Sequence, residues 1–511
     1  MSPTRRRVIT ALTVWLATRA VLFITATGHI FRHWGVPSVG DVKVYMVWAE
    51  KWLVQGHIPV DTKWQYPPLL APFLAFPQWL SDAFGLHYLT TFTTMTLLAD
   101  ALITALLLWT AAHRDVWSGP WYWIVGVPLL GPIVYGRYDV FPALFVVFAL
   151  VLLGKGIPAA LAEGSDGPRS RRKRWLAGIL IGFGAAVKIW PGLAIFGMPR
   201  TRRGWETIVA VAASAVGVIA LLSLFYTGTL SFIGNQSGRG IEIESVWGVL
   251  FLLGKRLGFD HVKVKLVYGS YQTLPDSRFM AHLVSLASYA SVGLTVLGFA
   301  LLAYWWWRKT WRPAMVADAT FVATLMMIVV SRVISPQYMI WALAVAGFCL
   351  LYKDTTQRRS ALLVLLALPL TQYEFPFFFQ QLLHAHLAAV LVVLLRDLLL
   401  IAATVIGFRD MWVSSVEGPL LPRHLHARFG SGAKAAPEPA GPLDPASVDA
   451  AVTTQRPAPA SEAGASVEPA ALHALRRSLA GLKPAGHSLD PPARRGPPPL
   501  PGLQRASAGG T

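Results

Sequence analysis

The sequence predicts an all-α polytopic membrane protein, a bundle of about twelve transmembrane helices carrying two folded extracytoplasmic loops. Three observations carry that prediction. Of 511 residues, 54% are hydrophobic and 14% charged. Ordinary soluble domains carry about 25% charged residues, so this chain lacks the charge to cover a water-soluble surface. Apolar runs such as 8–28 and 321–330 recur, and several approach the ~20 residues that cross a hydrocarbon core. Basic tracts at 4–7, 169–174, 200–203 and 308–312 stand beside them. That is the positive-inside signature rather than a nucleic-acid-binding stripe, so no nucleic-acid partner is expected and membrane lipids are.

The run 8–28 is longer than a signal-peptide core, carries Arg19 and is not followed by a small-residue cleavage site, so it reads as a retained anchor. The first long loop follows over 29–86. In it Asp41 precedes VKVYMVWAEKWL, where Tyr45, Trp48 and Trp52 recur at helical spacing. Such an aromatic face suits a helix lying on the bilayer. LLAPFLAFPQWL (69–80), interrupted by Pro72 and Pro77, is too short to span and reads as re-entrant or interfacial. Further spans are expected near 87–112, 119–135, 139–154, 175–188, 190–199 and 205–227. After the second long loop, 228–278, they continue near 279–304, 314–331, 337–352, 360–373 and 383–408.

With the loop 228–278 left out, the short connections hold nineteen Lys and Arg on the side of the basic tracts and seven on the other. The bias places both termini in the cytoplasm and the long loops outside a plasma membrane. Residues 1–414 then form the membrane-embedded domain. From 415 to 511 Pro, Ala, Gly and Ser dominate, a composition that cannot offset its ordering entropy and reads as a disordered cytoplasmic tail. The single cysteine, Cys349, excludes an intramolecular disulfide framework.

Nucleotide-binding, zinc-protease and serine-hydrolase motifs are missing: the sequence has no GxGxxG, Walker loop, HExxH, GxSxG or CxxC. What remains is a set of polar groups at the outer ends of spans, namely Asp41, Tyr66, Arg137, Asp139, Lys188, Arg239, Glu244, Arg332, Gln337 and Tyr338. Ionisable groups at membrane depth mark a site, a pathway or an ion pair. Spacing alone favours Asp41 as a helix N-cap, Arg137 with Asp139 as an interfacial pair, and Lys188 and Arg332 as snorkelling side chains. Arg19 with Asp100, and Arg396 and Asp397 with neighbours, read as pairs between helices. The gathering on one side points further, to fixed cations that neutralise a lipid-borne phosphate. His384 and His386 lie close together and His261 sits in the second loop, but HxH without a third ligand does not make a metal site. No cofactor is expected, and a divalent cation is not indicated. Three functions stay open at this point: an outer-face transferase, a transporter or lipid flippase, and a polysaccharide polymerase or ligase. A transporter would show a second copy of the GDV or VKIWPG segments in an inverted repeat, and none is seen.

GDVKVYMVWAEKWLVQGHIP (40–59), QYPPLLAPF (65–73), GRYDVFPALF (136–145), GAAVKIWPGLAIF (184–196), QSGRGIEIESVWG (236–248) and SRVISPQYMIWALA (331–344) together resemble the GT-C superfamily of polyprenyl-phosphate-sugar transferases. The nearest resemblance is to glycosyltransferase family 87, the bacterial alpha-mannosyltransferases, and it runs from about residue 8 to 410. The resemblance implies that Asp41 is the catalytic base, a role compatible with capping, and that Arg332, Gln337 and Tyr338 line the site. Many members carry two neighbouring acidic residues in the first loop. Here Val42 and Lys43 follow Asp41, which argues against a metal held by a carboxylate pair. With a polyprenyl-phosphate donor, Lys188, Arg239 and Arg332 are the candidates to bind the phosphate. Tyr66, Arg137, Asp139, Glu244, Gln337 and Tyr338 would then line the sugar or acceptor pocket. An in-line displacement inverts the anomeric centre. Mannose, transferred from a beta-linked donor to a lipid or glycan acceptor, is the default; a pentose such as arabinose is the alternative.

Overall fold

The computed structural model describes residues 1–28, 40–59, 64–154, 160–162, 164–237, 239–259 and 262–416. His261 and residues 417–511, nearly all of the expected tail, lie outside them. The described residues all fall within the first of two units, Met1–Phe429.

Long apolar helices form the outside of the bundle. The first, α1 (Pro3–Ala26), is capped by Ser2, whose hydroxyl accepts from the Arg5 amide. The first loop then contributes α2 (Gly40–Lys51) and α3 (Leu70–Phe84). They are followed by α4 (Tyr88–Arg114), α5 (Ser118–Leu130), α6 (Val140–Gly154), α7 (Pro168–Val187) and α8 (Arg202–Leu222). The second loop holds α9 (Ser231–Ser237), α10 (Val246–Arg256) and a hairpin of β1 (Val262–Val267) with β2 (Ser270–Pro275). The chain returns through α11 (Arg278–Arg308), α12 (Met315–Val330), α13 (Tyr338–Cys349), α14 (Arg358–Gln372), α15 (Phe379–Leu383) and α16 (Leu387–Val413). Among the described residues six helical stretches, beginning at Pro3, Tyr88, Arg202, Arg278, Arg358 and Leu387, are long and apolar enough to cross a membrane. The shorter α6, α12 and α13 are apolar as well. The expected span at 190–199 is instead a 3-10 turn, Trp190–Gly197. At ~2 Å rise per residue such a turn reaches only about half way across a ~30 Å core.

Burial sorts the helices into an inner and an outer set. Every residue of α13 from Met339 to Cys349 is buried, as befits a helix that is apolar all round. It packs against α5, α6 and α12. By contrast α1, α8 and α11 leave Leu16, Val216, Leu286 and Val296 largely exposed, the surfaces that lipid tails would cover. Glycines set one close contact in between: Gly178 and Gly182 face α8, where an added Cβ on Gly178 would meet Ala210 Cβ at 2.5 Å. This small-xxx-small spacing lets two backbones approach where helices have no hydrophobic drive to associate.

The expected intramembrane ion pairs form. Arg19 Nε lies 2.9 Å from Asp100 Oδ2, and the same carboxylate accepts from Trp15, Trp123 and Tyr135. Arg396 pairs with Glu374 at 3.0 Å and with Asp397 at 2.9 Å. Contacts also divide the molecule into two ends. At one, basic side chains bind the ends of helical elements: Arg7 to Asp115, Arg114 to the Gly154 carbonyl, and Lys309 to the Phe196 carbonyl. The two long loops gather at the other, where Asn235 donates to the Trp64 carbonyl and Gln65 to the Tyr268 carbonyl.

The aromatic face of α2 is covered by protein at Tyr45 and Trp48, while Trp52, just past the helix, is 39% exposed. Tyr45 and Trp48 are buried; Tyr45 packs on Phe92 and Tyr138, and Trp48 on Trp64. Helical spacing specifies an apolar stripe but not its partner, and here the partner is protein. In the second loop Tyr268 and Gly269 both have positive φ, as the type I′ turn between β1 and β2 requires. Residues 241–243 add to the free edge of β2, with Ile243 N donating to Tyr271 O and Thr273 N to Ile241 O.

Candidate active site

Asp41 sits inside the first turn of α2, one residue after the helix start, so it complements the positive helix end from within rather than capping it from outside. Its side chain is 45% exposed and forms an ion pair with the buried guanidinium of Arg137. Arg137 lies in the turn that leads into α6. Two residues on, Asp139 is fully buried and accepts from Lys188 Nζ and Trp341 Nε1, each at 2.7 Å. Arg137 and Asp139 thus take separate partners, because neighbours two apart in a turn point to different helices.

Lys188 follows the last residue of α7. Its ammonium lies 5.0 Å from the Tyr138 ring, 4.8 Å from Tyr338 and 4.7 Å from Trp341, so it is held by ring faces as well as by a carboxylate. It does not snorkel: its side chain is 13% exposed.

A cavity of about 220 Å³ opens at this end, lined by Lys188, Arg239 and Arg332 together with Tyr66, Gln337 and Tyr338. The three cations come from three places in the fold: the end of α7, the second loop and the turn before α13. Their meeting in one cavity is the main electrostatic feature of the site. Among the remaining site candidates Asp139 stands behind Lys188, and Asp41 connects through the packing of Tyr45 on Tyr138 and of Tyr138 on Tyr66. Glu244 is buried, its carbonyl accepting from Arg396 Nη2 at 2.5 Å. Burial, and after it the neighbouring Glu374, pushes the Glu244 carboxyl well above the usual range. Burial likewise raises the Tyr66 phenol to about 12. Among the described residues no group of three His, Cys, Asp or Glu side chains is placed to hold a metal ion. His384 and His386 lie with ring centroids 6.3 Å apart.

Ser335 on the cavity wall and Glu242 behind it were not singled out by sequence. The Ser335 hydroxyl donates to Glu242 Oε1 at 3.3 Å and Oε2 at 3.4 Å. The backbone amide of Glu242 donates to the Arg332 carbonyl at 3.0 Å, pinning the second loop to the turn before α13. The alternation Ile-Glu-Ile-Glu at 241–244 is the signal that marks Glu242, since strand periodicity sends both glutamates to one face and both isoleucines to the other.

Comparison with known proteins places this geometry. The pattern of glycosyltransferase family 87 matches residues 64–336, more than half of the chain. The chain belongs to glycosyltransferase family 87. The matched region of this family 87 glycosyltransferase takes in Tyr66, Arg137, Asp139, Lys188, Arg239, Glu244 and Arg332, while Asp41, Gln337 and Tyr338 lie outside it. No curated protein matches the chain. Among solved structures, the crystal structure of ArnT from Cupriavidus metallidurans bound to undecaprenyl phosphate is similar, with 13% identity and a TM-score of 0.38. That match covers 79% of this chain and 77% of ArnT.

Proposed function

We propose that this family 87 enzyme transfers a sugar, mannose by default, from a polyprenyl-phosphate donor to a lipid or polysaccharide acceptor at the outer face of the plasma membrane. The observation that carries the reading is the convergence of Lys188, Arg239 and Arg332 on one cavity. Three fixed cations in a small, partly water-excluded space suit a phosphate whose charge grows as the anomeric bond breaks. An arginine also presents a planar fork matched to phosphate oxygens. Both termini lie in the cytoplasm in this reading, consistent with the basic residues clustered at the end of the bundle opposite the loops.

Asp41 acts as base. A sugar hydroxyl is a weak nucleophile until a carboxylate within hydrogen-bond reach takes its proton as the new bond forms. Asp41 is the half-exposed carboxylate of the site, and its pairing with Arg137 fixes the direction of one oxygen. Attack opposite to the departing phosphate inverts the anomeric centre, so a beta-linked donor yields an alpha-glycoside. No metal enters the mechanism, because the first loop offers Val42 and Lys43 where a second carboxylate would stand.

The test is incubation of the purified protein in lipid with polyprenyl-phosphate-mannose and extracted envelope lipids, followed by mass analysis for an added hexose. Asp41→Asn should lower transfer by roughly 10²-fold or more while leaving the protein in the membrane. Undiminished turnover by that variant removes Asp41 from the role, and absence of any hexose product from wild type removes the donor assignment. A transporter reading predicts movement of a lipid across the bilayer without a new glycosidic bond.

A further inference from the structure

The carboxyl of Glu242 is 3% exposed, and its contact with the cavity runs through the Ser335 hydroxyl, at 3.3 and 3.4 Å. Ser335 is part of the cavity wall, beside Arg332 and within the same lining as Arg239 and Lys188. Glu242 therefore touches no space that a substrate would enter, yet it is one hydrogen bond away from it. A serine in this position has two states. When the carboxyl is ionised, Ser335 donates to it and offers only lone pairs to the cavity. When the carboxyl is protonated, it donates to Ser335 Oγ, and the serine proton is free to point into the cavity.

We propose that Glu242 and Ser335 form a proton relay that delivers a proton to the phosphate oxygen departing from the sugar. The proposal rests on the reading of the cavity as the donor-phosphate site. The donor is a phosphodiester monoanion. As the acceptor oxygen bonds to the anomeric carbon, the carbon–oxygen bond to phosphate breaks and its electron pair stays on that oxygen. Ser335 passes its proton to the new phosphate dianion, Glu242 passes its own to Ser335 Oγ, and the acceptor's proton goes to Asp41. The polyprenyl phosphate leaves as a monoanion, and both carboxyls return to their starting states by exchange with water. Ser335 is then a catalytic residue and Glu242 acts through it.

The electrostatic setting fits a carboxyl that holds a proton near neutral pH. Burial, then the neighbouring Glu244, raises Glu242 to about 8, against the pull of Arg239, Ser335 and Arg396. Tyr66 from the first loop and Tyr338 from α13 also face it, as do Arg137 before α6 and Glu374 after α14. The acid form is present below that value and is lost as pH rises through it.

Steady-state transfer from the polyprenyl-phosphate-sugar donor, measured for the full chain in lipid between about pH 6 and pH 9, tests the relay. Wild-type kcat falls as pH rises through about 8. Glu242→Gln and Ser335→Ala should each lower kcat by roughly 10²-fold at the acid end, the lower range for general acid catalysis, and each should abolish the descending limb. Ser335→Thr, which keeps a hydroxyl, should restore both rate and limb. A descending limb that survives in Ser335→Ala assigns it to another group and overturns the relay, as does an equal loss at every pH with no change of profile. If wild type transfers no sugar from this donor, the cavity reading fails first; if wild type transfers and the profiles are unchanged, the relay alone fails.

Discussion

Lys188 is one of the three cations that line the cavity, and its hold on Asp139 can be measured. The two atoms are 2.7 Å apart, and the carboxylate has no exposed surface. Removing either charge strands the other in a low-dielectric site, which costs about 3–5 kcal/mol. That is a large share of the ~5–15 kcal/mol by which folded domains are stable. Lys188→Met should show the full loss, because Asp139 keeps only the Trp341 indole as donor. Asp139→Asn retains an amide oxygen for that indole and recovers about 1 kcal/mol as a neutral hydrogen bond. In the double variant neither charge is left alone, so its destabilisation should fall short of the sum of the singles by about 2 kcal/mol. Thermal unfolding in a fixed lipid, followed by tryptophan fluorescence, reads all four proteins. Sugar transfer measured on the same samples should be strongly reduced in each variant that lacks Lys188. Strict additivity of the two single losses refutes the pairing, and wild-type transfer by Lys188→Met refutes its place at the phosphate.

Arg239→Ala and Arg332→Ala should each raise the KM for the lipid donor by about tenfold, equivalent to one charge-assisted hydrogen bond of ~1.4 kcal/mol. Kinetics with donor and acceptor varied separately would reveal a change in acceptor KM alone, which would move these residues to the acceptor side. Asp100→Ala, which strands the buried Arg19 guanidinium, should cost about 3–5 kcal/mol and cut the yield of folded protein in detergent. Wild-type melting by this variant would contradict the network around Arg19.

The membrane character of the chain was legible because it is written in one dimension. Composition, run length and the position of basic tracts need no partner to be read. The intramembrane pairs of Arg19 and Arg396 were legible for a related reason: a charge in hydrocarbon must find an opposite charge or it would not be there. The span predicted at 190–199 failed because a short apolar stretch with Trp190 and Pro191 at its start satisfies hydropathy as well inside a protein core as across a bilayer. The lipid-facing reading failed at Tyr45 and Trp48 in the same way, since periodicity is indifferent to whether lipid or Phe92, Tyr138 and Trp64 cover the face. The role of Glu242 was not legible because the alternation at 241–244 gives the face it shares with Glu244 but not its partner, and Ser335 is 93 residues away.

The sequence by itself determined the class of the protein, the two loops that could hold a site, and the residues from which a site would be drawn. Only the tertiary structure decided how those residues are distributed. Helix packing brings Lys188, Arg239 and Arg332 to one cavity, gives Arg137 to Asp41 and Lys188 to Asp139, and sets Glu242 behind Ser335. Spacing along a chain states which side chains share a face of one helix or strand; which face meets which, and so which charges are left free to act on a substrate, is settled by contacts between elements far apart in sequence.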